Sequence, residues 1–183
     1  EAREYAKAAE ELDAAFKLLD ENKILFRDTL AHVIMNYYGI TVNLVLMNYK
    51  KSLRFLNAIL SEKNYEIRKD LYANIRLIQI IVYYEINDAD LFQSGLKSAY
   101  RYLVQNKKLY GFEKLLFSVL KKAFAGEYTN IDEREIFREI KEKLALVMKN
   151  KYEKRALRFF YYSDWVESKI QGKSLKEILN EKK

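Results

Sequence analysis

The sequence predicts an all-α fold, built as a solenoid of stacked helical hairpins and closed by a C-terminal helical unit. Three observations carry this expectation. The 183 residues include no proline and only five glycines. Such a chain permits long uninterrupted helices and lacks the turn residues that an all-β fold needs. A second observation is a recurring pattern. Tyr5, Ala8, Leu12, Ala15 and Phe16 fall at i, i+3, i+7, i+10 and i+11. The offsets return at Tyr49, Ser52, Leu56, Ile59 and Leu60, and again at Phe92, Gly95, Ala99, Tyr102 and Leu103. A looser copy is Phe137, Ile140, Leu144, Val147 and Met148, which makes the steps 44, 43 and 45 residues. These offsets trace one face of a helix. A helix that returns at a fixed period implies a repeat whose units bury their faces on one another. The third observation is alternation, because a long and more apolar segment lies next to each patterned helix.

The elements follow in order. A first helix spans about Ala2 to Leu19, with Tyr5, Ala8, Ala9, Leu12, Ala15, Phe16 and Leu19 in one stripe. A mostly apolar helix follows from Ile24 to Leu46, with Gly39 as a kink point. Met47 and Asn48 turn the chain into the patterned helix Tyr49–Leu60. The same order repeats: an apolar helix from Tyr65 to Ile86, a turn at Asn87 and Asp88, and a patterned helix over 89–105. Leu109 to Ala125 is helical. Gly126 to Asn130 is a loop, and Asp132 caps a helix that ends near Lys149, with Glu135 placed as in a capping box. The tail beyond Tyr152 reads as two or three shorter helices, broken at Gly172 to Ser174, with Ser174 as the cap of the last. Residues 1–149 thus form the repeat array, with patterned helices near 5–19, 49–60, 89–105 and 132–149. Residues 150–183 form its capping helices in the same domain.

At this point the pattern resembles the tetratricopeptide repeat. The second helix of that repeat carries an aromatic residue, a small residue three on, a core residue four further, and then an Ala-Leu-like pair. Tyr5-x-x-Ala8-x-x-x-Leu12-x-x-Ala15-Phe16 is similar to it, and so is Tyr49-x-x-Ser52-x-x-x-Leu56. The period here is longer than in that family. The family's Leu-Gly pair and terminal proline have no counterpart. The chain also resembles the C-terminal helical region of uncharacterised bacterial proteins with degenerate repeats. Heavy use of Lys, Ile, Asn and Tyr agrees with an AT-rich bacterial genome. The resemblance implies a right-handed α-α superhelix and a scaffold or protein-binding role, and it carries over no catalytic residues. It also places a partner helix upstream of Glu1, so the chain reads as a fragment or processed protein.

Composition narrows the chemistry. There is no cysteine, hence no disulfide framework and no thiolate chemistry, which suits a cytoplasmic setting. No apolar run reaches the ~20 residues that span a bilayer. The lone histidine, His32, sits in an apolar helix and reads as a core or groove residue, not as a base. Asp88, Asp90, Asp132, Glu133 and Glu135 lie at turns and helix starts, where acids cap amides and suit the helix dipole. Gly111 and Gly126 are isolated, so no glycine-rich phosphate loop is present. The sequence therefore predicts no enzyme, no cofactor and no metal.

Polar residues recur along the apolar helices. Thr29, His32, Asn36 and Asn43 share one face. Tyr72, Arg76, Gln79 and Tyr83 share the next, and Tyr110, Lys114, Ser118 and Lys121 a third. Aligned, they would line a groove for an extended protein segment; the alternative is a plain solvated face. Charge is uneven. Residues 1–46 hold 5 basic and 8 acidic residues, 47–126 hold 14 and 7, and 127–183 hold 14 and 11, consistent with the net +7. The basic middle, with Lys97, Arg101, Lys108, Lys114, Lys121 and Lys122 and with Tyr100 and Tyr110 among them, favours an acidic protein segment. Single-stranded nucleic acid is the second reading, by phosphate contact and stacking. The cluster Phe159, Phe160, Tyr161, Tyr162 and Trp165 reads as the core of the terminal unit.

The pattern yields a direct test. Ala99 occupies the offset where neighbouring helices approach. Ala99→Leu should therefore cost about 1–3 kcal/mol by overpacking, read as a lowered midpoint in urea. An unchanged midpoint would place Ala99 in solvent and break the register.

Overall fold

A computed structural model describes residues 2–22, 30–61, 69–126, 132–147, 149–150 and 159–182. These residues form nine α-helices and no strand: α1 (Ala2–Glu21), α2 (Leu30–Val45), α3 (Tyr49–Leu60), α4 (Lys69–Ile86), α5 (Ala89–Gln105), α6 (Gly111–Gly126), α7 (Glu133–Val147), α8 (Tyr162–Gln171) and α9 (Leu175–Glu181). The all-α expectation holds among them. The chain divides into two compact units, Glu1–Lys69 and Asp70–Lys183.

In the first unit α2 packs on α3 and on α1. The helix runs unbroken through Gly39. That glycine is required by closeness, since a Cβ there would stand 2.7 Å from the Phe55 ring. Phe55 also meets Phe16 of α1, with ring centroids 5.5 Å apart. Ser52, the small residue of the recurring pattern, is fully buried. Its hydroxyl donates to the Ile40 carbonyl at 2.9 Å, so the close helix contact carries its own polar satisfaction. Lys51 of α3 pairs with Asp13 of α1 at 2.7 Å on the surface.

The second unit is built on α4, whose Ile75, Leu77, Ile78, Ile80, Ile81 and Val82 are wholly buried. Such a helix has apolar residues all round because neighbours cover it on several sides. The pattern residues Phe92, Gly95, Ala99 and Leu103 are the buried face of α5. A Cβ on Gly95 would lie 2.5 Å from the Tyr83 ring of α4, the mirror of the Gly39–Phe55 contact. Further on, α6 packs on α7, α7 on α8, and α8 on α9. Phe137, Ile140 and Leu144 are the buried face of α7, again at the recurring offsets.

One residue joins most of these helices. The Tyr84 ring of α4 meets Phe92 of α5, Phe124 of α6, Phe137 of α7 and Trp165 of α8, with centroids 6.0–6.3 Å apart and rings edge to face. Phe92 and Phe124 stack at 4.2 Å. The next residue, Glu85, accepts from Trp165 Nε1 at 2.6 Å and pairs with Lys169 at 2.6 Å. Phe160, Tyr162 and Trp165 of the aromatic cluster are buried as expected, but Phe159 is only half-buried and Tyr161 is exposed, so the cluster is core only in part. Ser174 caps α9 through a reciprocal capping box with Glu177.

The helix ends show how a chain poor in glycine turns. Met47, Asn87 and Lys107 follow α2, α4 and α5 in the left-handed region, with φ of 61°, 58° and 54°. After α2, Asn48 N–H reaches back to Asn43 O at 2.8 Å and Met47 N–H to Leu44 O at 3.1 Å, a Schellman closure. Such a φ costs a residue with a Cβ about 1–2 kcal/mol. Asn adopts it at lower cost than Met. Met47→Gly should therefore stabilise the protein by about 0.5–1 kcal/mol in urea melts, despite the freer unfolded chain. A lower midpoint would show that the exposed Met47 side chain contributes a contact worth more than the backbone relief.

Candidate functional site

The polar faces predicted from the sequence fall into three different environments. On α2, His32, Asn36 and Asn43 are buried, and Thr29 lies outside the described residues. Asn36 Nδ2 donates to His32 O at 2.9 Å, and Asn43 Nδ2 to Gly39 O at 2.9 Å. Thr41 likewise returns its hydroxyl to Tyr37 O and Tyr38 O. These side chains answer carbonyls of their own helix one turn back, which lets a polar group enter a packed interior. They do not line a solvent-facing groove. Asn74 on α4 does the same to Asp70 O at 2.9 Å.

On α4, Tyr72, Gln79 and Tyr83 are buried and so do not face solvent either; only Arg76 is part-exposed. Three of the four are nonetheless brought together. Arg76 Nη1 donates to Gln79 Oε1 at 3.1 Å, and Gln79 Nε2 donates to the Tyr83 hydroxyl at 3.0 Å. Nη1 also reaches Ser98 Oγ of α5 at 3.3 Å. The guanidinium carbon lies 5.6 Å from the centroid of the Tyr102 ring. Every partner of this cation is neutral.

The third face is the one in solvent. Tyr110, Lys114, Ser118 and Lys121 are all exposed at one-turn spacings around α6. On α5, Lys97, Tyr100, Arg101 and Val104 fall at i, i+3, i+4 and i+7, also exposed. Tyr100 and Tyr110 keep 51% and 52% of their surface in solvent. The two helix faces adjoin, because the Tyr100 ring meets Phe117 of α6 edge to face at 5.6 Å. Sequence reasoning named the cations and tyrosines here but missed Val104 and Phe117; their place at i+4 from Tyr100 and i+3 from Lys114 was the available signal.

The charges of this surface are unmatched. Lys97, Arg101, Lys107, Lys108, Lys114 and Lys121 form no ion pair among the described residues. Lys122 is the exception and pairs with Glu139 of α7 at 3.7 Å. Elsewhere in the second unit some cations meet acids, Lys141 with Glu167 at 2.6 Å and Lys182 with Asp164, while Arg134, Arg138 and Lys176 form no ion pair among the described residues. Those pairs border a 440 Å³ depression between α7, α8 and α9, floored by Leu144, Val166 and Ile178. Its rim is internally compensated, and the Lys141 hydrogen bond, followed by that of Gln171, holds the Glu167 carboxyl below the usual range.

Comparison with family models, curated proteins and solved structures finds no match to this chain. Among the described residues, no helix is long and apolar enough to cross a membrane, and no group of His, Asp and Glu is placed to hold a metal.

The exposed, unpaired lysines make a clean variant. Lys114→Glu with Lys121→Glu should leave the unfolding free energy, from urea melts, within about 0.5 kcal/mol of wild type, since both side chains are exposed and neither forms an ion pair among the described residues. A larger loss would mean that these cations hold the fold, and the surface would no longer be available as a recognition site.

Proposed function

We propose that the chain is a non-catalytic binding module, a scaffold that holds an extended acidic protein segment against the α5–α6 face. The observation that carries this reading is the run of six cations without acidic partners on a surface with exposed Tyr100, Val104 and Tyr110. Electrostatic complementarity of this kind steers a partner and sets its register. Tyrosines in solvent beside cations supply large, stiff contact area. The hairpins are read as a degenerate tetratricopeptide-like array, in a right-handed superhelix. This is supported by the like turns of α2–α3 and α4–α5, which place Met47 and Asn87 at the same left-handed position.

A second reading has its own support. Tyrosines interleaved with unpaired lysines and arginine also suit single-stranded nucleic acid, through stacking and phosphate contact. A salt titration by fluorescence anisotropy separates the two. With an acidic peptide as probe, Lys97→Glu, Arg101→Glu and Lys114→Glu together should abolish binding. Random single-stranded oligonucleotides should bind no tighter than about 10 μM at physiological salt. Tight oligonucleotide binding, with a log–log salt slope near −0.7 per phosphate contact, would replace the first reading with the second.

A further inference from the structure

The basic surface of α5 and α6 has an apolar spot among its cations. Tyr100 keeps 51% of its surface in solvent, and Val104, one turn on, keeps 48%. The ground beside Tyr100 is filled. Phe117 of α6, which meets the Tyr100 ring edge to face at 5.6 Å, is only 8% exposed. Tyr100 and Val104 therefore stand as a low ridge, about 6 Å long by helical rise. A partner helix needs an open groove for its row of apolar anchors. A ridge of one turn takes a single apolar side chain, and a partner meets it in solvent without displacing anything.

The cations are spaced about this spot. On α6, Lys114 lies three residues before Phe117 and Lys121 four after it. On α5, Lys97 lies three residues before Tyr100. Each thus stands about 4.5–6 Å along its helix from the ring contact, with a lysine of α6 on either side of it. All three are exposed, and none forms an ion pair among the described residues. In an extended chain, alternate side chains share a face and follow one another at about 6.6–6.8 Å. An apolar residue seated on Tyr100 would put the residues two before and two after it within reach of these flexible cations.

From this we infer that the surface reads one pattern, acid–x–apolar–x–acid, along one face of an extended segment. The apolar side chain packs on Tyr100 and Val104, and the flanking acids meet Lys114 and Lys121, one each. The inference rests on the protein-segment reading above and names what that segment must carry. A tract of acids alone would satisfy the lysines but leave Tyr100 and Val104 in water.

Three peptides of equal charge test this on the whole ¹⁵N-labelled chain, by NMR titration at low salt, with oligoglutamate as the probe of charge alone. The first carries Glu-Ser-Leu-Ser-Glu. The second has serine in place of that leucine. The third has the order Glu-Leu-Ser-Ser-Glu, which turns the leucine to the face opposite the acids. The first should bind about tenfold tighter than the other two, the gain from covering one leucine. Tyr100→Ser and, separately, Val104→Ser should remove most of that difference and leave the affinity of the second peptide unchanged. In the unsubstituted protein, NOEs from the leucine methyls of the first peptide should reach the Tyr100 ring, a readout that does not depend on how the variants fold. Equal affinities for the three peptides, or binding of oligoglutamate alone, would overturn the pattern and leave the acidic-segment reading standing. NOEs to Tyr110 with none to Tyr100 would overturn the seat. Binding of none of the four probes would sink the acidic-segment reading itself, and the pattern with it.

Discussion

The second unit depends on the contacts made by two adjacent residues of one helix. Tyr84 brings rings from α5, α6, α7 and α8 to a single point, and Glu85 binds α8 through Trp165 and Lys169. Edge-to-face pairs of this kind are worth about 0.5–1.5 kcal/mol each beyond the area they bury. Their geometry is directional, so they fix how the helices sit as well as how firmly. Lys169 adds a charge over the Tyr84 ring at 5.3 Å. Because Glu85 is nearly enclosed yet meets two donors, its charge is compensated inside the fold. Removing either donor would leave an under-compensated carboxylate, which is a larger loss than the pair itself supplies.

Much of the fold was legible because helices announce themselves by spacing. The offsets at Tyr49, Phe92 and Phe137 mark the buried faces of α3, α5 and α7, and Ser174 with Glu177 spells out its own cap. The hub was not legible. Tyr84 and Glu85 neighbour each other in an apolar run, and no spacing says that Trp165, some eighty residues on, will meet them. An acid at the end of such an apolar run, with a single tryptophan in the chain, was the signal on offer. The polar stripe of α2 failed for a different reason. Asn36 and Asn43 recur at helical spacing because each needs a carbonyl four residues back, and that same spacing looks like a groove. Spacing finds a face; it does not say whether the face is wet.

The exposed charge was legible in amount and sign, but not in state. Counting residues gave a basic middle, and counting cannot tell a paired lysine from an idle one. Lys122 and Lys121 are neighbours in sequence, yet only Lys122 reaches Glu139. A helix turns by about 100° per residue, so adjacent lysines face different surroundings. Surface pairs add little to stability, about 0–1 kcal/mol each, so the fold gains little by matching every cation. Idle cations are therefore ordinary when scattered. On α5 and α6 such cations sit with Tyr100 and Tyr110 left in solvent among them.

Arg76 and Glu85 set the two uses of charge side by side on α4. Both are drawn out of bulk water, and both meet side chains from other helices. Glu85 receives an indole N–H and an ammonium, so its neighbours supply opposite charge and the site is closed. Arg76 receives an amide oxygen and a hydroxyl, so its neighbours orient the group without neutralising it. A cation that served only the fold would gain most from an acid at Gln79 or Ser98, one side chain away. With neutral groups there instead, the guanidinium is held in place without a counter-ion among the described residues. The same helix thus neutralises one charge within the fold and only orients the other.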